Sequence, residues 1–239
     1  MTKENILQEV RKAMQATNDH VSNYFILSAL SAALVEDIRH ETNKATGNGK
    51  VEKILKNLLD ASKKEAAYYD RAHYAHIENG ALYATDTHRL LKLYTPISAP
   101  LWEEKEPGVE WFKLYDMIDK KPETIPAIMP DLNALKTFIK CTKKENPVVI
   151  LETENGKKVT VNARYLENAL TNFSNVKLYA SANNTHKSAV YVSGNEGELL
   201  ILPINNQRIE EMQPGFYTQL YNNSVYSFKK FSFDFEKVA

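Results

Sequence analysis

The run Thr85-Asp86-Thr87-His88-Arg89 gathers a carboxylate, an imidazole, a guanidinium and two hydroxyls within five residues, between apolar segments that contain Leu82 and Leu90-Leu91. Asp86 and His88, joined by His73 or His76, are residue types suited to acid–base work or to holding zinc or iron. Their spacing matches no metal-ligand motif, and the chain has neither a phosphate-cradling glycine loop nor a nucleophile elbow. The expectation is a protein that is not an enzyme and needs no cofactor or metal. The same residue types also serve recognition. Asp86 and Thr87 can close a turn through side-chain to backbone hydrogen bonds, which would display His88 and Arg89 at a strand end.

The elements that must hold this corner can be read from periodicity. Residues 3–16 place Ile6, Leu7, Val10, Ala13 and Met14 at helical spacing, and a second apolar helix runs from about Asn23 to His40. The glycines in Asn43 to Lys50 predict a turn. A third helix, Val51 to Lys64, buries Val51, Ile54, Leu55, Leu58 and Leu59, and leaves Lys53, Lys56, Lys63 and Lys64 largely outside that stripe. After Tyr68 the period becomes two: 74–78, 81–85 and 90–94 read as strands, with Asn79-Gly80 as the hairpin turn. Six prolines from Pro96 to Pro130 then punctuate an irregular region, which Trp102 and Trp111 would pin to the core, with short strands near 111–115. A domain boundary is expected near Glu123, giving 1–123 and 124–239.

The second half opens with a helix over 131–143, carrying Lys136, Lys140, Lys143 and Lys144 beside a stripe of Leu132, Leu135, Phe138 and Ile139. A hairpin follows around Asn155-Gly156, then a helix over 163–173 capped by Asn162, with Tyr165, Leu166, Ala169 and Leu170 inward. Strands are expected over 176–181, 188–193 and 198–203, and again within 224–235. Helices followed by antiparallel strands imply an α+β fold with the helices on one face of the sheet.

Composition narrows the function classes. The 239 residues hold 30 basic and 30 acidic side chains, so any DNA contact must come from the placement of charge and not from its total. A single cysteine, Cys141, rules out an internal disulfide framework and suits a reducing compartment. The polar start is unlike a secretory signal, and the longest apolar run is too short to span a bilayer, so a cytoplasmic protein without a membrane partner is expected.

Three stretches carry a family resemblance. Ala84-Thr-Asp-Thr-His-Arg-Leu90 resembles the Ala-Thr-Asp-Gly/Ser-His-Arg-Leu segment of the bacterial sliding clamp, the beta subunit of DNA polymerase III. Residues 159–170, Val-Thr-Val-Asn-Ala-Arg-Tyr-Leu-Glu-Asn-Ala-Leu, resemble the clamp's Phe-Asn-x-Lys-Tyr-Leu-Leu-Asp-Ala-Leu. Leu199-Leu-Ile-Leu-Pro-Ile204 is similar to its closing Leu-x-Met-Pro-Met/Val. They cover roughly residues 70–95 and 131–205, in the clamp's order, and leave the first fifty residues and the tail unexplained. The chain would be a shortened or divergent, phage- or mobile-element-like member.

The resemblance implies a DNA-clamp-like ring with helices lining a hole and sheets outside, assembled as a homo-oligomer. Its partners would be duplex DNA held without base reading, a DNA polymerase and other proteins bearing clamp-binding motifs, and a clamp loader. It assigns a DNA-facing role to Lys53, Lys56, Lys63, Lys64, Lys136, Lys140, Lys143 and Lys144. Carried over position by position, the client-peptide pocket would comprise Thr85, Thr87, His88, Arg89 and Leu90 with Leu202, Pro203 and Ile204. Thr87 departs from the family's Gly or Ser, and Asn205 from its usual basic residue. Two other readings compete: a monomeric clamp-like peptide-binding module that forms no ring, and a metal-dependent enzyme built on Asp86 and the histidines.

Overall fold

The computed structural model describes residues 2–16, 21–65, 70–94, 96–101, 115–142, 147–182, 189–204 and 225–228. The chain divides into two compact units, 1–52 with 97–100, and 53–96 with 101–239.

The first unit is a helical hairpin. Helix α1 (Lys3–Ala16) buries Leu7 and Val10. Lys3, at its start, binds Asp37 at 3.4 Å and Glu41 at 2.7 Å, so α2 (Val21–Ala45) runs antiparallel to it. The turn expected over 43–50 is shorter than that. Helix α2 continues to Ala45 and closes through Gly47, at φ +79°, with amides of Gly47 and Asn48 returning to the carbonyls of Lys44 and Asn43. Buried Asn43 also exchanges two hydrogen bonds with the backbone of Ser98, at 3.0 and 2.9 Å, which fastens residues 97–100 to the hairpin. Helix α3 (Gly49–Glu65) starts in this unit and continues into the second.

The second unit is built on a seven-stranded sheet in the order β1-β2-β3-β9-β8-β7-β4, antiparallel throughout. The strands are β1 (His76–Glu78), β2 (Ala81–Thr85), β3 (Arg89–Leu93), β4 (Thr124–Pro126), β7 (Lys177–Ser181), β8 (Val190–Ser193) and β9 (Gly197–Ile201). The Asn79-Gly80 turn forms as expected, with φ of 49° and 77° at its two residues, the pattern of a type I′ hairpin. A helix followed by three antiparallel strands occurs twice, as α3-β1-β2-β3 and as α6 (Ala163–Asn172)-β7-β8-β9. The last strands of the two sets pair in the middle of the sheet. The boundary expected near Glu123 lies inside this unit, and the β3–β9 ladder carries the sheet across the two expected halves.

A smaller sheet, β10-β5-β6, sets β5 (Val148–Glu152) antiparallel to β6 (Lys158–Asn162) and parallel to β10 (Val225–Phe228). Of the strands expected within 224–235, only β10 is described. Both helices expected in this half form, the second capped by Asn162 as expected and the first by Asp131, a residue that the expected span 131–143 counts as helical. Asp131 accepts the Ala134 amide at the start of α5 (Leu132–Cys141), and Asn162 accepts the Arg164 amide at the start of α6.

Alternation divides the large sheet between two faces. Leu91, Leu93, Leu199, Val190 and Val192 are buried on one side. Leu90, Leu200 and Tyr191 point the other way and pack around Ile118 of α4 (Tyr115–Asp119). The expectation that helices keep to one face is therefore corrected: α4 lies opposite α6. It is tied there by Asp119, which accepts from the Tyr83 hydroxyl at 3.0 Å and pairs with Lys92. Of the strands expected near 111–115, Tyr115 instead begins α4, and residues 111–114 lie outside the described residues, as do Trp102 and Trp111. No helix of the described residues is long and apolar enough to cross a membrane.

Candidate functional site

Strands β2 and β3 turn around Thr87 and His88, with the Asp86 amide donating to the Arg89 carbonyl at 3.3 Å. Thr87 has φ +74°, a left-handed backbone that favours glycine. Thr87 adopts it at a cost in backbone strain. The turn survives because side chains over-determine it. The Thr85 hydroxyl donates to the Arg89 carbonyl at 2.7 Å and accepts the Thr87 amide at 3.1 Å. Asp86 Oδ1 accepts the amides of His88 at 3.1 Å and Arg89 at 2.7 Å.

The other carboxylate oxygen, Asp86 Oδ2, accepts from Arg89 Nε at 2.8 Å and Nη2 at 2.7 Å. Both residues are inside the protein, Asp86 at 0% and Arg89 at 4% relative exposure. The guanidinium also lies 4.0 Å from the ring centroid of Tyr165 on α6. This corrects the expectation that Arg89 is displayed. Alternation along β3 aims it at the helix-bearing face, and a charge can lie there only if it is paired and hydrogen-bonded. It also removes Asp86 from the set imagined for metal binding, because both of its oxygens serve the corner. Among the described residues no three His, Cys, Asp or Glu side chains gather as a metal-holding group.

The late strand meets this corner. After Ile201, which stands opposite Arg89, the Leu202 amide donates to the His88 carbonyl at 2.9 Å. Pro203, having no amide, ends the ladder. The chain then changes sheets. The Ile204 amide donates to the Thr160 carbonyl at 2.9 Å, and the Thr160 hydroxyl donates to the Ile204 carbonyl at 2.8 Å. Residues 202–204 thus span from the β3 corner to β6, fixed at both ends, with Leu202, Pro203 and Ile204 half-buried between them.

The expected pocket residues fall into three groups. Thr87 and His88 are exposed at the corner, and Leu202, Pro203 and Ile204 lie beside them, partly open. Thr85 and Arg89 are buried supports. Leu90 is buried too, but on the α4 side with Ile118 and Leu200, so the pocket role expected of it is corrected by the strand's own alternation. Two contributors escaped the sequence reading. Tyr165 was recognisable only as an inward aromatic on α6, and Thr160 only as one polar residue of an alternating strand.

The expected DNA-facing lysines are also divided. Lys53, Lys56, Lys63 and Lys64 on α3 are exposed, as is Lys140 on α5. Lys136 is half-buried and approaches Glu167 of α6 at 4.0 Å, so part of its charge is answered within the protein. Lys143 and Lys144 lie outside the described residues. No protein-family model, curated protein or solved structure matches this chain.

Proposed function

We propose that the chain is a clamp-like DNA polymerase processivity factor, which surrounds duplex DNA as a homo-oligomer and docks client peptides in the notch between the 85–90 corner and residues 202–204. The observation that carries this reading is the hydrogen bond from the Leu202 amide to the His88 carbonyl. It places side by side two segments that are more than a hundred residues apart and that the clamp resemblance pairs. A notch with apolar walls and a few polar rim groups suits a short linear peptide: Leu202 and Ile204 receive anchors, while Thr87 and His88 meet its backbone or polar side chains. The row of exposed lysines on α3 supports the DNA half of the proposal, because point charges on a helix hold phosphates without reading bases.

Fluorescence anisotropy with a labelled clamp-binding-motif peptide tests the notch. Leu202→Ala removes an apolar wall and should weaken binding about tenfold, the equivalent of about 1.4 kcal/mol. A thermal melt of the same variant separates lost binding from lost folding. Unchanged affinity in a folded Leu202→Ala protein refutes the notch. Retention on covalently closed, but not linear, DNA tests encirclement.

A further inference from the structure

Helix α2 is apolar on two sides. Leu27, Leu34 and Ile38 are half-buried, whereas Phe25, Ile26, Ala29, Leu30, Ala32 and Ala33 are all exposed, Phe25 and Ile26 to 66% each. At helical spacing these six form two adjacent rows, 25-29-32 and 26-30-33, about three turns of continuous apolar surface. Contiguous apolar surface of this kind marks an interaction site. The Tyr24 and Phe25 rings are set edge to face, with centroids 6.4 Å apart, so the bulky end of the patch is already ordered.

We propose that a second copy of this chain covers this face, with the two α2 helices antiparallel about a dyad at Ala29. The size gradient along the rows selects that occupant and that direction. The rows are bulky at one end, Phe25 and Ile26, and small at the other, Ala32 and Ala33. An antiparallel pair centred on Ala29 sets Phe25 opposite the partner's Ala33 and Ile26 opposite the partner's Ala32, large against small, as an isologous interface requires. The rows then continue into exposed Glu36 and Asp37. Glu36 lies 3.7 Å from Arg39 and Asp37 3.4 Å from Lys3, so these acids are answered within the chain and leave the apolar rows to set the pairing.

The area agrees with pairing. Taking about 150–250 Å² for a fully exposed aromatic, the patch offers on the order of 500 Å² per copy. Pairing would remove about 1,000 Å² in all, at the threshold for specific association. The dimer should therefore be concentration-dependent. The proposal is independent of the clamp reading, because a cross-link at Ala29 reports on α2 whatever else the chain assembles into.

Single cysteines placed in a full-length Cys141→Ser background test the geometry, since Cys141 is itself exposed. Under mild oxidation Ala29→Cys should form a disulfide dimer. Ala33→Cys should not, because the two copies of position 33 would stand about 12 Å apart along the axis, beyond disulfide reach. Sedimentation equilibrium of the otherwise unaltered chain carrying Ile26→Glu should show the association midpoint raised at least tenfold in concentration, with unchanged helix content by circular dichroism. Equal cross-linking at both positions overturns the antiparallel arrangement. No cross-link at Ala29, or a mass unaffected by Ile26→Glu, overturns the pairing altogether. Co-flotation of the unaltered chain with phosphatidylcholine vesicles, lost in Ile26→Glu, assigns the face to lipid instead.

Discussion

Arg89→Ala should unfold the protein more readily by about 4 kcal/mol, an unusually large effect for a residue in a surface turn. Three overlapping terms set this figure. With both partners buried, the attraction between unit charges about 4 Å apart is about 4 kcal/mol at an effective dielectric constant of about 20. Removing one partner of such a pair typically costs about 3–5 kcal/mol, because the remaining charge stays in the interior. The lost stacking on Tyr165 adds about 1–2 kcal/mol. Against this, the amides of His88 and Arg89 still solvate Asp86 Oδ1 and keep the total from the top of the range. For a unit of this size about 4 kcal/mol corresponds to roughly 8–16 °C in Tm. Urea unfolding of the wild type, Arg89→Ala, Asp86→Ala and the double variant measures both the loss and its origin. The double variant should be little worse than either single one, giving a coupling of about 2–3 kcal/mol, toward the top of the range seen for neighbours that share one network. A loss below about 1 kcal/mol in Arg89→Ala, or strictly additive losses, refutes the view that this ion pair holds the corner.

Three further outcomes follow from the same geometry. Thr87→Gly should stabilise the fold by about 1 kcal/mol, because relief of a positive-φ, β-branched residue outweighs glycine's added chain entropy; thermal melts check it. Gly197→Ala should destabilise by about 3 kcal/mol, since its Cβ would lie 2.1 Å from the Lys92 carbonyl oxygen and force β3 and β9 apart at the middle of the sheet; urea titration reads this directly. Stability should fall above about pH 10, the range in which unfolded tyrosine and lysine lose their protons. Burial raises Tyr83, Tyr94 and Tyr191, and Lys92 is raised because its bonds to Asp119 and Tyr83 outweigh the effect of its burial. A raised folded pKa means that the native state holds the proton more tightly, so stability is complete below the unfolded value and is lost as pH rises through the folded one. Lys157, lowered by burial, acts in the opposite sense and offsets only part of the fall. Melting curves from pH 7 to 11 test this, with a Tm that rises toward pH 11 as the contrary result.

Local chemistry was legible in the sequence wherever one or two residues decide it. Asn79-Gly80 forms its hairpin, Asn162 caps its helix, and the alternating segments become β2, β3 and β9. Long-range pairing was not legible, because the contacts that place β3 beside β9 are backbone bonds that any strand can make. Nothing in Arg89-Leu-Leu-Lys-Leu names Gly197–Ile201 as its neighbour, although Gly197 is the one residue there small enough to lie against Lys92. Arg89 was misjudged for a related reason. A guanidinium in a polar run reads as exposed, and only the presence of Asp86 three residues earlier and of Tyr165 on a distant helix makes burial affordable. The helix α4 escaped because a five-residue element has too few turns to show a period.

The sheet's alternation assigns opposite tasks to neighbours in the Thr85–Leu90 run. Asp86 and Arg89 point inward and neutralise each other, Leu90 supports α4, and Thr87 and His88 remain outside. Under the proposed function a docked peptide would meet Thr87, His88, Leu202 and Ile204, and would not meet the buried guanidinium. With that cation withdrawn, and Asn205 standing where the clamp it resembles has a basic residue, discrimination among the proposed clients would rest on how their apolar anchors fit Leu202, Pro203 and Ile204. The buried ion pair would serve that recognition as a brace, because it fastens the turn whose His88 carbonyl accepts the Leu202 amide.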